Sequence, residues 1–367
     1  MNYIFRTTLI IFTLIISPIL QAKTYTNIII FGDSLSDIGN NTWVDTPGRG
    51  ANFAHGAPIT NLDPETQQPM IWPQYLTAMN IFSQKNIMAS SHWHHESLSK
   101  LNIVYAYASA ETGTNYLNDQ VEPFTYPQTC ATAGLISNSE SCVPNLQTQI
   151  KTYLANLQQI NEQPGQNTIY VIWAGGNDVF DNIARAIYRV SHAKENWQLL
   201  LPQQELAFSW FPSMKIIKAT NLLIKAGVPA NHIYVITLPN ISTTPGARNL
   251  ISSAFAKQPT LQKLSLDLLS GITYLFNFDL RVGLYVGAWN VKQPYAKPHV
   301  LDVNQFLKKI IKNRDFGGTT FPHVENSCLA EHATPYCKGY LFFNDKHPTT
   351  TAGKVLAVYL YNDLMHN

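Results

Sequence analysis

The sequence predicts an α/β fold: a central parallel sheet with helices on both faces. Ile28-Ile29-Ile30-Phe31 and Thr168-Ile169-Tyr170-Val171-Ile172-Trp173 are β-prone apolar runs bounded by turn residues, the pattern of strands buried on both sides. His232 to Leu238 repeats it, and stretches with apolar residues near helical spacing separate the three. A chain that is 45% hydrophobic and only 13% charged has material for a sizeable core.

The first 22 residues differ from the rest. Arg6 precedes the almost wholly apolar Leu9 to Ile16, and Leu20-Gln21-Ala22 ends in a small residue. This reads as a signal peptide over 1–22, so that an exported protein, periplasmic or secreted, begins at residue 23. An uncleaved anchor is the alternative, although the apolar run is short for a membrane span. Residues 23–367 show no internal repeat, low-complexity tract or linker, and a single domain is expected. A net charge of +2 without a polybasic stripe gives no reason to invoke nucleic acid.

The first predicted strand runs into Gly32-Asp33-Ser34-Leu35-Ser36-Asp37-Ile38-Gly39-Asn40. A Ser at the carboxyl edge of such a strand sits where open α/β sheets bind ligands. If a helix follows, its N-terminus adds positive potential beside the Ser oxygen. A lone Ser is a weak nucleophile and needs a base; otherwise Ser34 and its neighbours merely cap a helix.

Further along, Asn41 to Pro69 is polar and loop-like, and Ile71 to Leu76 begins a helix. His92, His94 and His95 invite a metal reading, but sequence neighbours diverge in a regular element, and a solvated loop is preferred. Val104 to Ala110 is a β-rich run ending in small residues. Leu146 to Leu157 is amphipathic. The second strand leads into Ala174-Gly175-Gly176-Asn177-Asp178, where a Gly-rich turn brings a short amide to the same edge as Ser34. Asn177 can then donate to a developing oxyanion, whereas Asp178 fits an Asx cap. Ile183 to Ala226 is mostly helical with breaks near Pro202 and Phe211-Pro212. Leu261 to Val291 is apolar and helix-like, His299 to Val303 is a short strand, and Asn304 to Lys312 is a helix.

Tyr340 to Thr349 contains Asn344-Asp345-Lys346-His347-Pro348-Thr349, and His347 can serve as the base. Four cysteines fall into two local pairs, Cys130 with Cys142 and Cys328 with Cys337. Two short-loop disulfides are the simplest of three possible pairings, and neither pair has a usual zinc spacing.

These strings together resemble the GDSL, or SGNH, family of lipases and esterases, from roughly Asn27 to Leu356. The resemblance implies a flavodoxin-like three-layer α/β/α sandwich that needs no metal or organic cofactor. It makes Ser34 the nucleophile and His347 the base, with oxyanion donors from the Ser34 amide, the Ser109 amide and Asn177. Two departures stand out. Ala108 and Ser109 replace the glycines usual in the second block, and Asn344 stands where an Asp is usual. The adjacent Asp345 is expected to orient His347, because an ionised partner stabilises the imidazolium better, with Asn344 as the alternative.

Within the family the chain is similar to secreted bacterial phospholipase A, lysophospholipase A and glycerophospholipid–cholesterol acyltransferase enzymes. That similarity implies phospholipid or lysophospholipid substrates, a possible sterol acceptor and peripheral contact with membranes or micelles. It also implies a possible activating protease at the Cys328–Cys337 loop. A carbohydrate acetylesterase of the same fold and a catalytically inactive binding protein are the competing readings.

Overall fold

A computed structural model describes residues 25–40, 59–113, 144–183, 201–287 and 297–366 of the chain; for residues 201–210 it describes the backbone alone. The expected signal segment and the Cys130–Cys142 pair lie outside these residues.

Six parallel strands form the central sheet: β1 (Asn27–Gly32), β2 (Ile87–Ala89), β3 (Asn102–Val104), β4 (Thr168–Trp173), β5 (Ile233–Ile236) and β6 (His299–Leu301). Their order is β2-β3-β1-β4-β5-β6. β1 and β4 pair over their whole length, Asn27 opposite Thr168 through Gly32 opposite Trp173, and every residue of both is buried. Side chains alternate across a strand, so one run feeds two cores. Ile29 and Phe31 pack on one face with Tyr170 and Ile172, while Ile28 and Ile30 pack on the other with Ile169 and Val171.

Helices cover both faces, giving the three-layer α/β/α sandwich. Among the described residues the helices include α1 (Trp72–Thr77), α2 (Leu146–Gln159), α3 (Leu201–Lys225), α4 (Pro245–Ala254), α5 (Pro259–Gly287), α6 (Val303–Asn313) and α7 (Thr350–His366), and residues 176–183 after β4 are helical as well. Residues of α2 to α5 build the core on the Ile29 face. α1, α6 and α7 build the other.

Two expectations need correction. Val104 to Ala110 is not a strand beyond Val104. Tyr105 and Tyr107 still donate their amides to Ile30 and Gly32 of β1, but Asn40 Nδ2 takes the carbonyls of Val104 and Ala106 at 2.7 and 2.9 Å, and the chain turns after Tyr107. α3 is unbroken from Leu201 to Lys225, with Pro212 inside it. The segment before His347 carries a second, smaller sheet. His323–Ser327 and Tyr340–Phe342 pair in parallel, and the Cys328–Cys337 disulfide closes the connection between them. Cys328 and Cys337 are buried with Tyr340 and Phe343. His92, His94 and His95 stand on exposed surface.

Candidate active site

The site begins where β1 ends. Gly32 has φ +154, and a Cβ there would lie 2.0 Å from the Trp173 carbonyl oxygen, so only glycine lets β1 and β4 close at this point. Gln149 of α2 clasps the same residue, accepting the Gly32 N–H at 2.8 Å and donating to its carbonyl at 2.8 Å. Beyond it the chain forms a turn rather than the helix that would have aided Ser34. The Ser36 and Asp37 amides both donate to the Asp33 carbonyl.

Ser34 projects from this turn, 7% exposed. Its Oγ lies 2.7 Å from His347 Nε2, across 313 residues of sequence. His347 Nδ1 lies 3.0 Å from Asn344 Oδ1. That same oxygen accepts the backbone N–H groups of Lys346 at 3.0 Å and His347 at 2.9 Å. Two amide donors can be met only by the oxygen of the Asn344 side chain, which fixes its orientation. Nδ1 must then carry a proton, Nε2 presents its lone pair, and Ser34 donates to it. The arrangement is a Ser-His-Asn relay held in the tautomer that a general base requires.

Asp345 does not occupy the orienting position. Its carbonyl accepts the Gly246 N–H at 2.8 Å, and its exposed carboxylate takes a weak bond from Asn249 Nδ2 at 3.4 Å. A Cβ on Gly246 would sit 2.9 Å from that carbonyl oxygen. The start of α4 therefore grips the Asp345 backbone and turns its side chain outward.

His347 is buried, and its desolvation, aided by the Lys346 ammonium, lowers its pKa to about 3. The ring is thus neutral, ready to accept a proton, over most of the pH range. Beside Ser34, burial raises Asp33 to about 7, with the Asp178 charge adding to the rise. Asp33 Oδ1 accepts the Leu35 N–H at 3.0 Å.

The second and third blocks are pinned to the first. Asp37 accepts the Ala108 N–H at 2.8 Å with one oxygen and the Gly39 and Asn40 amides with the other. Ser109 follows in the left-handed region, φ +66, the conformation for which glycine is usual. Asn177 Nδ2 donates to the Ala110 carbonyl at 2.9 Å, which spends one of its two N–H groups and aims the amide at this loop. Asp178 anchors Thr112 through both the backbone N–H (3.0 Å) and the hydroxyl (2.7 Å), so it braces this loop and does not act only as a local cap. Ser34, Ser109 and Asn177 thus come from the carboxyl ends of three adjacent strands, β1, β3 and β4.

Sequence reasoning missed Gln149, Asp37 and Asn40 as supports. Asp37 and Asn40 lie within the opening string, but Gln149 carries no local signal. A cavity of about 10 Å³, room for one water, adjoins Ser34 and His347 and is walled by Leu35, Ile71, Trp72, Trp173 and Leu356.

The GDSL-like lipase/acylhydrolase family profile matches residues 28–360 of this chain. No curated protein matches it.

Proposed function

Because the chain belongs to the GDSL-like lipase/acylhydrolase family, whose chemistry is carboxylic ester hydrolysis, we propose that it cleaves acyl esters of phospholipids or lysophospholipids through an acyl-enzyme on Ser34. The observation that carries this is the hydrogen-bonded chain Ser34 Oγ to His347 Nε2 and His347 Nδ1 to Asn344 Oδ1. Ser34 Oγ attacks the ester carbonyl as its proton passes to His347 Nε2. The oxyanion is held by the amides of Ser34 and Ser109 and by Asn177, each such donor being worth roughly 3–4 kcal/mol in other hydrolases. The tetrahedral adduct collapses to the acyl-enzyme, and His347 returns the proton to the leaving alcohol. Water, or an acceptor alcohol such as a sterol, then gives up a proton to His347, attacks the acyl carbon and releases Ser34.

The lipid ester is preferred to an acetylated sugar because the strings that flank the catalytic blocks resemble those of secreted bacterial phospholipases and acyltransferases. The exported location and cleavage-controlled activity belong to the same proposal. Residues between Cys328 and Cys337 are almost all exposed, with Leu329 and Tyr336 turned to solvent, which suits access by a protease. The deciding experiment compares fatty acid released from lysophosphatidylcholine with acetate released from acetylated xylan. It is run with and without cholesterol, on wild type and Ser34→Ala. Acetate release alone overturns the lipid reading. Folded wild type that neither turns over any ester nor is labelled by a fluorophosphonate is an inactive binding protein. Unchanged activity after cleavage between Cys328 and Cys337 would leave that loop a purely structural staple.

A further inference from the structure

The second half of α5 presents an apolar face to solvent. Tyr274, Phe278, Val282, Tyr285 and Val286 recur at helical spacing along one side, each between 44% and 66% exposed. The rings of Tyr274 and Phe278 stack at 6.5 Å. From 271 to 286 the charged residues are the half-buried Asp279 and the exposed Arg281, which is paired with the α6 cap residue Asp302. A stripe of this length is more than the scattered apolar exposure of an ordinary surface.

Alongside it runs a groove of about 510 Å³ between α5 and α6, lined by Asn240, Ser270, Tyr274, Asn304, Lys308 and Lys312 among others. Lys308 and Lys312 stand exposed on α6 together with Lys309, and that helix contains no carboxylate. Amide and hydroxyl donors in the groove, two ammonium groups at its side and aromatics beside it form one continuous surface. Aromatic residues suit the boundary between headgroups and acyl chains, and lysines suit an anionic leaflet.

We propose that this α5–α6 surface seats the protein on an anionic phospholipid bilayer. The stripe enters the interface, and Lys308 and Lys312 meet lipid phosphates at the groove. Asn240 follows β5 and Asn304 follows β6, so the groove opens at the sheet edge that bears Ser34. β6 lies three strands from β1, about 14 Å at 4.8 Å per strand. The stripe runs from that edge toward the opposite one, where the Lys297 ammonium just before β6 lies over the Tyr285 ring, so the groove end of the surface is the end nearer the nucleophile. The inference rests on the lipid-ester reading but is tested apart from it.

Ser34→Ala protein, which separates binding from turnover, is sedimented with phosphatidylcholine vesicles with and without phosphatidylglycerol. Selective binding to the anionic vesicles is expected. Lys308→Gln/Lys312→Gln in that background should weaken it about thirtyfold, the loss for two lysines at an anionic surface. Tyr274→Ser/Phe278→Ser should weaken it by about tenfold or more. Both pairs of substitutions, in otherwise wild-type enzyme, should leave hydrolysis of a soluble short-chain ester unchanged. Equal binding to neutral vesicles, or variants that bind like their parent, overturns the proposal. So does a stripe variant that changes the oligomeric state in vesicle-free buffer, which would mark the face as an interface between copies. Selective vesicle binding with no lysophospholipid turnover by wild type would leave this surface standing and remove the substrate reading instead.

Discussion

Asn344→Asp is the most informative single change. The substitution is isosteric, and an Asp oxygen caps the Lys346 and His347 amides as the Asn344 oxygen does, so the loop keeps its shape. What changes is the charge at 3.0 Å from His347 Nδ1. At an effective dielectric of about 20, opposite unit charges about 4 Å apart attract by about 4 kcal/mol. At 1.36 kcal/mol per pKa unit that attraction raises His347 by about three units, from about 3 to near the ordinary imidazole value. The neutral ring is the active base, so wild type should keep its kcat/KM far into acid. The acid limb of the variant should move up to about pH 6. The imidazolium formed in the transition state gains too. If half the attraction, about 2 kcal/mol, is expressed there, kcat at about pH 8 rises about thirtyfold. Initial rates on a soluble nitrophenyl ester across pH, with circular dichroism confirming the fold at each point, measure both effects. A wild-type acid limb already near pH 6, or a limb that does not move in the variant, refutes the reasoning.

The remaining expectations follow from the same geometry. Asp345→Asn should change kcat by less than about twofold, because an exposed carboxylate on a weak bond contributes little; a loss beyond about tenfold would restore Asp345 as the orienting acid. Ser109→Gly keeps the amide and removes left-handed strain of about 1–2 kcal/mol, partly offset by glycine's greater entropy loss of about 0.5–1 kcal/mol. The melting temperature should therefore hold or rise with kcat/KM kept, and a collapse of activity would mean that the Ser109 side chain itself is needed. Stability against pH tests the two buried titrating groups. Between 3.8 and about 7 folded Asp33 holds the extra proton, so stability falls as pH rises, by about 4 kcal/mol in all. Between about 3 and 6.5 the unfolded chain protonates His347 while the folded one does not, so stability rises with pH by about 5 kcal/mol. The slopes oppose one another, and Asp33→Asn should expose the rising one; thermal melts of the variant that parallel wild type would count against the Asp33 assignment, and a variant whose stability does not rise between about pH 3 and 6.5 would count against that of His347.

How much of this was legible beforehand depended on range. β1 and β4 are apolar on both faces because both faces are buried, and their turns hold residues with short-range chemical meaning, Ser34 and Asn177. β2, three residues with two only half-buried, has no such signal. Val104 to Ala110 looked like a strand because small apolar residues also suit a packed loop, and the Asn40 amide that ends the pairing lies 64 residues upstream. The break expected at Pro212 ignored tertiary packing, which outweighs one lost hydrogen bond. The choice of Asp345 over Asn344 weighed charge and neglected position. An Asx side chain bonds the backbone two and three residues ahead, which is where Lys346 and His347 stand. Gly246, whose approach turns Asp345 away, lies 99 residues earlier in the chain and could not have been read locally.

The separation of Ser34 from its base also sets a timetable. Nucleophile, oxyanion donors and their braces lie between residues 33 and 178, and His347 is 313 residues beyond Ser34. At the usual 5–20 residues per second, roughly 15–60 s of synthesis divides the emergence of the two. His347 is held by contacts of the carboxyl-terminal segment: the Thr349 hydroxyl on the Tyr340 carbonyl, the Phe343 amide on its own carbonyl, and α7 packed behind it. A nascent chain therefore carries Ser34 without its base until His347 itself has been synthesised. Ester hydrolysis, which needs both groups, is thereby held off for that interval of the protein's own synthesis.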